Sequence, residues 1–450
     1  MLTSQPWMKG LYDLAIERIQ ASEEGRDLSS VEKELDALCK DTRNPLLYKR
    51  ADDLYDIIQT LPLKTGYHYV EPNTIADIHA QRGPAVSLPF TTLSEEALYD
   101  RILGAWLARC AGCLFGQPVE GWHRQRIQGF LHDTGNLPVT RYMSSYVSEV
   151  LRKKYDVQDD GGPYGSRYKN WINHVDAMPE DDDTSYTVFA LKLLEHHGRD
   201  FSSYNVGEEW LASLPLLRTC TAERMAYINM ANMVLPPLSA IKHNPYREWI
   251  GAQIRGDLFG YVNPGDPETA ADMAFRDASI SHVKNGIYGE MYSAAMIAAA
   301  FLTDDPALII RAGMGQIPQK CRLYEKVNDL LTGWEMGITV EMFLADFYKE
   351  YDETNPHHWC HTIPNALLVT AGLLYHSMAF VPSMAFGTTA GFDTDCNSAT
   401  IASVIGAAKG AMALPQEWFI PLNNIVHTCV SSYGCLAITD LARRTLALVK

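Results

Sequence analysis

Positive charge is scarce. In 450 residues, 38 lysines and arginines stand against 54 aspartates and glutamates, a net charge of −16. Phosphate contacts need a basic face, so general nucleic-acid binding and adhesion to anionic membranes are disfavoured. Small-molecule substrates and cation sites remain open. Long apolar runs are also missing. The longest, about residues 366–382, is broken by His376 and small polar residues, short of the roughly 18–20 that span a bilayer. The first twenty residues lack a basic start followed by an apolar run and a small-residue cleavage site. A soluble protein without a membrane partner is expected. The nine cysteines are an odd number in a long chain and suggest no disulfide framework. A reducing, cytoplasmic setting is the simplest expectation. Period-2 runs of β-branched residues, internal repeats and low-complexity tracts are absent as well.

Apolar residues make up 47% and charged residues 20%, ordinary for a globular protein. The length suits one large or two ordinary domains. Residues 1–90 contain charged segments with apolar residues at helical spacing, such as LYDLAIERIQASEEG. About three amphipathic helices are expected there, with 71–90 as a proline-bearing connector. From about residue 92 the texture changes to helices rich in alanine and glycine. These are YDRILGAWLARCAGCLFG (99–116), GEMYSAAMIAAAFL (289–302), IPNALLVTAGLLYHSMAF (363–380) and SATIASVIGAAKGAMA (398–413). Small residues let helices approach closely, which implies an all-α core. The polar, aromatic stretch 121–180 reads as a lid or a surface excursion.

Two acidic turns lead into helices. One is Glu180-Asp181-Asp182-Asp183-Thr184; the other is Asp393-Thr394-Asp395-Cys396-Asn397. Helix capping explains part of each. A cap needs one acceptor, however, and each turn offers two or three. Carboxylates and hydroxyls are hard oxygen ligands suited to Mg²⁺ or Mn²⁺. Two such clusters, if they meet, can hold two cations. Glu120, in a Gly/Pro-punctuated turn, is a further candidate acid or a solvated turn residue. The segment 276–290, with His282, Asn285 and Tyr288 ahead of an apolar helix, suits substrate contact. A competing centre for Zn²⁺ or redox chemistry would use Cys110 and Cys113 with His357, His358, Cys360 and His361. Against it, the two cysteines lie one turn apart in a small-residue helix and have no second CxxC.

Together DRILGAWLARCAGCLFGQPVEG, EDDDTSYTVFALKLLEHHG, DASISHVKNGIYGEMYSAAMIAAAF and GFDTDCNSATIASVIGAAKGAMALPQEW resemble the ADP-ribosylglycohydrolase family, over about residues 97–420. The resemblance implies an all-α orthogonal helical bundle over residues 91–450, with 1–90 an additional helical N-terminal region. It implies a metal-dependent glycosidase with two Mg²⁺ or Mn²⁺ ions, acting at C1 of a ribosyl-type sugar. The substrate would be an ADP-ribosyl group or a small N- or O-glycoside.

By motif, Asp182 and Asp183 match the family's Asp-Asp pair, Asp393 and Asp395 its Asp-x-Asp pair, Glu120 its glutamate and His282 its histidine. Asp181, Asp182, Asp183, Asp393, Asp395 and Cys396 are the implied metal set. Glu120, Asp183 and Asp395 are the implied catalytic residues. Glu120, His282, Asn285 and Tyr288 are the implied substrate contacts. Three positions depart from the family pattern. Asp181 and Cys396 stand where threonines are usual, and Gly112-Cys113 replaces a Gly-Asp. These departures weigh slightly toward the smaller glycoside. A non-enzymatic, crystallin-like protein on the same fold is the alternative, and a homo-oligomer fits the apolar N-terminal helix faces.

Overall fold

The computed structural model describes residue 7 and residues 13–41, 44–83, 85–90 and 92–449. Helices dominate throughout. Among the described residues the only sheet is a two-stranded antiparallel ladder, Ile425–His427 with Cys435–Ala437. The all-α expectation holds.

The centre is the helix Glu95–Gly116, crossed along its length by Thr394–Lys409. Ser94 caps the first by accepting from the Ala97 amide. Its length and mean hydropathy of 1.2 would suit a membrane span, yet 89% of its apolar window is buried inside the protein. The small residues explain why. A Cβ on Gly112 would lie 2.3 Å from the Ser398 carbonyl oxygen, and one on Gly116 would lie 2.4 Å from that of Thr394. Only glycine permits this backbone-to-backbone contact. The Thr394 hydroxyl then donates to the Gly116 carbonyl at 3.0 Å.

Around this pair lie Asp182–His197, Asn285–Ala300 and Thr362–Tyr375. Every residue of Asn285–Ala300 is buried, as a helix apolar on all sides must be. The expected helix at 363–380 is two, Thr362–Tyr375 and Phe380–Thr389, because His376, Ser377 and Met378 form a turn with the last two at positive φ. The helix expected at 398–413 begins earlier, at Thr394, and ends at Gly410, φ +78°.

The N-terminal region holds four helices, Leu14–Glu23, Glu32–Leu38, Tyr48–Thr60 and Ile75–Gln81. The fourth falls within the expected connector, started by Thr74, which accepts from the Asp77 amide. The first three share a small apolar core of their own, built on Leu14, Leu35, Leu54, Tyr55 and Ile58.

Buried ion pairs fasten this region to the rest. The Arg247 guanidinium donates to Glu24 at 2.6 Å and to Glu17 at 2.5 Å. Lys284 reaches Glu24 at 2.8 Å. Arg322 is bidentate on Glu71, at 2.9 Å for both bonds, and meets Glu248 at 2.7 Å. Such matched geometry is what allows charges to lie buried.

Candidate active site

Asp181 is the N-cap of Asp182–His197, and its side chain accepts from the Asp183 amide at 3.0 Å. Capping therefore accounts for Asp181 in part. It does not account for Asp393. That residue precedes Thr394–Lys409, yet its side chain makes no capping bond. The turn before it runs through Gly391 at φ +78° and Phe392 at φ +61°. Phe392 is fully buried, its ring 5.2 Å from that of Phe347, so packing holds an unfavourable backbone that aims Asp393 inward.

The two turns, far apart in sequence, meet. One ligand atom each from Cys113, Asp181, Asp183 and Asp395 lies within 4.8 Å of the others. Asp393, Asp395 and Cys396 form a second group by the same measure, and Asp395 belongs to both. Asp181 is 2% exposed, Asp183 0%, Asp393 5% and Asp395 3%. Asp182 is half-buried beside them, its amide donating to the Tyr164 hydroxyl at 3.3 Å. Through Tyr164 the 121–180 stretch reaches the site. Glu120 is exposed at the rim, within the field of Asp395 and of Asp181, Asp182 and Asp183.

Among the described residues, the only cation paired with any of these six carboxylates is Arg109. It is fully buried, 3.3 Å from Asp183, and is shared with Asp257 at 2.9 Å. The uncompensated charge shows in the proton affinities. Burial, then the charge of Asp395, raises Asp181 to about 6. Burial, then the charge of Asp181, raises Asp182 to about 7. Burial raises Asp395 to about 6. Asp183 and Asp393 are driven well above the carboxylate range by burial and by their acidic neighbours. For Glu120, at the rim, the charge of Asp395 is the first cause of the same upward shift. The cluster is thus stable only with protons or cations upon it. The Asp395 Oδ1 atom, buried and without a hydrogen-bond partner, is a lone pair aimed into the group.

Two residues outside the expected ligand set complete the setting. Gln117 donates to Asp181 at 2.7 Å, and its own amide oxygen accepts from Asn170 at 3.2 Å. Cys113 lies against Asp183, its sulfur 3.7 Å from Oδ2. The Gly112-Cys113 departure is the sequence signal for the cysteine; the glutamine carries none.

Of the expected substrate contacts, Glu120 lies at the acidic centre, and His282, Asn285 and Tyr288 have other hydrogen-bond partners. Asn285 donates to Glu71 at 2.7 Å, and the Tyr288 hydroxyl accepts nothing from the acidic cluster but donates to the Pro72 carbonyl. His282 is buried with Nδ1 2.8 Å from Ser281, whose hydroxyl accepts from Arg255. Burial, then the Arg255 charge, keeps that imidazole neutral. Among the described residues, no hydrogen bond joins these three to the acidic cluster. They sit where the N-terminal region meets the bundle.

The histidine cluster has a different character. Nε2 of His357 and of His361 lie 3.2 and 3.7 Å from Glu23, which resembles a zinc set. But His357 Nδ1 accepts from the Trp249 indole N–H, and His361 Nδ1 accepts from the Ile363 amide, each at 3.1 Å. A neutral ring whose Nδ1 accepts must carry its proton on Nε2. Both Nε2 atoms then carry the ring proton, that of His357 directed to Glu23 at 3.2 Å, and neither keeps a lone pair for a metal. Cys110 is fully buried among apolar residues of the main core and behaves as a small hydrophobe.

A family model described as ADP-ribosylglycohydrolase matches residues 94–449. The chain belongs to the ADP-ribosylglycohydrolase family. It is accordingly a hydrolase of the glycosidase kind. The match begins at the cap of the central helix and leaves out the N-terminal helices. A solved structure titled "ADP-ribosylglycohydrolase-related protein complex" is similar at 19% identity and a TM-score of 0.45, covering 78% of this chain and 98% of that one. No curated protein matches the chain. Against the family pattern given by its motifs, both departing cysteines of this chain, Cys113 and Cys396, lie within the acidic centre.

Proposed function

We propose that the protein hydrolyses a glycosidic bond at C1 of a ribosyl-type sugar, with two divalent cations, Mg²⁺ or Mn²⁺, held by the acidic centre. The observation that carries the reading is the pair of donor groups sharing Asp395. The donors fit a cation site: they are buried, mostly unpaired with cations, and include the orphaned Asp395 Oδ1. Asp181, Asp182 and Asp183 would serve one side, and Asp393, Asp395 and Cys396 the other. Bound cations would supply a grip on the sugar diol and acidify a water.

Glu120 does the proton work in this reading. Its carboxyl is at the rim, and the neighbouring Asp395 charge favours its protonated form. A protonated carboxyl beside the leaving atom is what an oxocarbenium-like transition state needs. Gln117 and Asn170 hold Asp181 in place. Tyr164 covers Asp182 and helps exclude water. Residues 91–450 form the catalytic unit, and 1–90 form an extension that braces the wall containing His282, Asn285 and Tyr288. The substrate is an ADP-ribosyl group or a smaller riboside.

The test is a hydrolysis panel with Mg²⁺ or Mn²⁺, repeated with EDTA. It would include ADP-ribosylated arginine and serine peptides, ADP-ribosylated nucleic acid and simple ribosides. Release of free sugar or ADP-ribose that EDTA abolishes is the expected result. EDTA-insensitive turnover, or full activity in Asp183→Ala, would overturn the two-cation reading.

A further inference from the structure

The two donor groups differ from an all-carboxylate site in the same way: each contains one sulfur. The first is Cys113 with Asp181, Asp183 and Asp395; the second is Cys396 with Asp393 and Asp395. Cys113 lies on the central helix one turn before Gly116, and the contact between Gly116 and the Thr394–Asp395 backbone brings that turn against the acidic cluster. Its position is unlike that of Cys110 on the same helix. Both belong to the main apolar core, Cys110 with apolar neighbours there, whereas Cys113 in addition donates to a carboxylate, Asp183 Oδ2, at 3.7 Å. A cysteine serving only as a small hydrophobe belongs in the first setting, not the second. Cys396 follows Asp395 in the opposite turn and is 6% exposed. Asp395, common to both groups, has a buried Oδ1 without a hydrogen-bond partner.

We infer that each cation in this centre is ligated by one cysteine sulfur, Cys113 for one ion and Cys396 for the other, with Asp395 the carboxylate common to both. The inference rests on the two-cation reading above. On loading, each S–H bond breaks, its proton leaves to solvent and a sulfur–metal bond forms; no electron changes hands. Thiolate ligands favour softer ions. The centre therefore selects Fe²⁺, Co²⁺ or Zn²⁺ over Mg²⁺.

The experiment uses the full-length protein, stripped of metal and kept reduced, and titrated with Co²⁺ while its absorption spectrum is recorded. Sulfur ligation gives a near-ultraviolet thiolate-to-cobalt charge-transfer band; oxygen ligation gives only weak visible ligand-field bands. The expected result is two equivalents bound with strong charge-transfer absorption. That absorption should fall by about half in Cys113→Ser and again in Cys396→Ser, where the conversion is one sulfur per ion. Cys110→Ser should leave it unchanged, and Cys113→Asp should shift ion preference toward Mg²⁺. Binding of Co²⁺ to the unaltered protein without a charge-transfer band would overturn the sulfur assignment and leave the hydrolase reading standing. A charge-transfer band that survives both serine substitutions would overturn the assignment too. No uptake of Co²⁺, Mn²⁺ or Mg²⁺ would overturn both readings. The wild-type spectrum decides the matter even if a variant fails to fold.

Discussion

Two of the buried charge clusters among the described residues are built on opposite principles. At the seam with the N-terminal region, Arg247 serves Glu17 and Glu24, and Arg322 serves Glu71 and Glu248. Each carboxylate there has a guanidinium within ordinary bonding distance. At the acidic centre, six carboxylates share a single guanidinium, Arg109, which also serves Asp257. The seam is electrically complete by itself and holds two parts of the chain together. The acidic centre is incomplete by itself, and the missing charge must come from outside. Matched pairs hold the seam, and the acidic centre is left with charge that only protons or cations can offset.

Four perturbations would break or sharpen that contrast. The largest effect is expected from Asp395→Asn. Removing the shared carboxylate should lower metal-dependent turnover by more than about a hundredfold, the loss that even a residue behind the ligands can cause. The melting temperature of the metal-free protein should hold or rise, since one repelling charge is gone. A melting temperature that collapsed would place Asp395 in the structural class instead.

Arg247→Met should do the reverse. It strands Glu17 and Glu24, and removing one partner of a buried pair costs about 3–5 kcal/mol. Denaturant unfolding would measure this, and the ligands of the acidic centre should keep their affinity once the protein is folded. Gly116→Ala should cost about 1–3 kcal/mol by forcing the two central helices apart. Because Asp395 lies at that contact, cation affinity measured by calorimetry should fall with it, linking packing to site.

The smallest effect concerns Glu23. Burial would raise its carboxyl, but the hydrogen bond from His357 and the charges of His361, His357 and Arg322 outweigh burial and bring it from 4.5 down to about 2. A depressed folded-state value means its contribution is complete above about 4.5 and is lost as pH falls toward 2. In Glu23→Gln the acid limb of the stability curve should flatten across that window. An unchanged limb would remove Glu23 from the seam.

Much of this was legible in sequence because the signals were local. Alanine and glycine density announced close-packed helices, and the structure shows why at Gly112 and Gly116. Two acidic turns offered more acceptors than a cap requires, and the structure brings them together with Asp393 capping nothing. What was not legible depends on tertiary partners. Asn285 and Tyr288 look like substrate contacts until Glu71 and Pro72 are seen to engage them. His357 and His361 look like metal ligands until Trp249 and the Ile363 amide fix their tautomers. The helix Ile75–Gln81 was hidden among prolines. Cys113 looked like core because helical spacing cannot tell a face that meets apolar side chains from one that meets carboxylates.

The contact between the two central helices also bears on how the molecule comes to exist. Gly116 and Thr394 are 278 positions apart, and their backbones touch. Such non-local contacts form late and slowly, since a long loop must close before they return anything. On a ribosome the first half of the centre must therefore wait, exposed, for most of the chain to be made. Its carboxylates are ordinary surface acids during that wait. Only the last long helix, arriving with Asp393 and Asp395, turns them into a buried cluster whose charge must be offset.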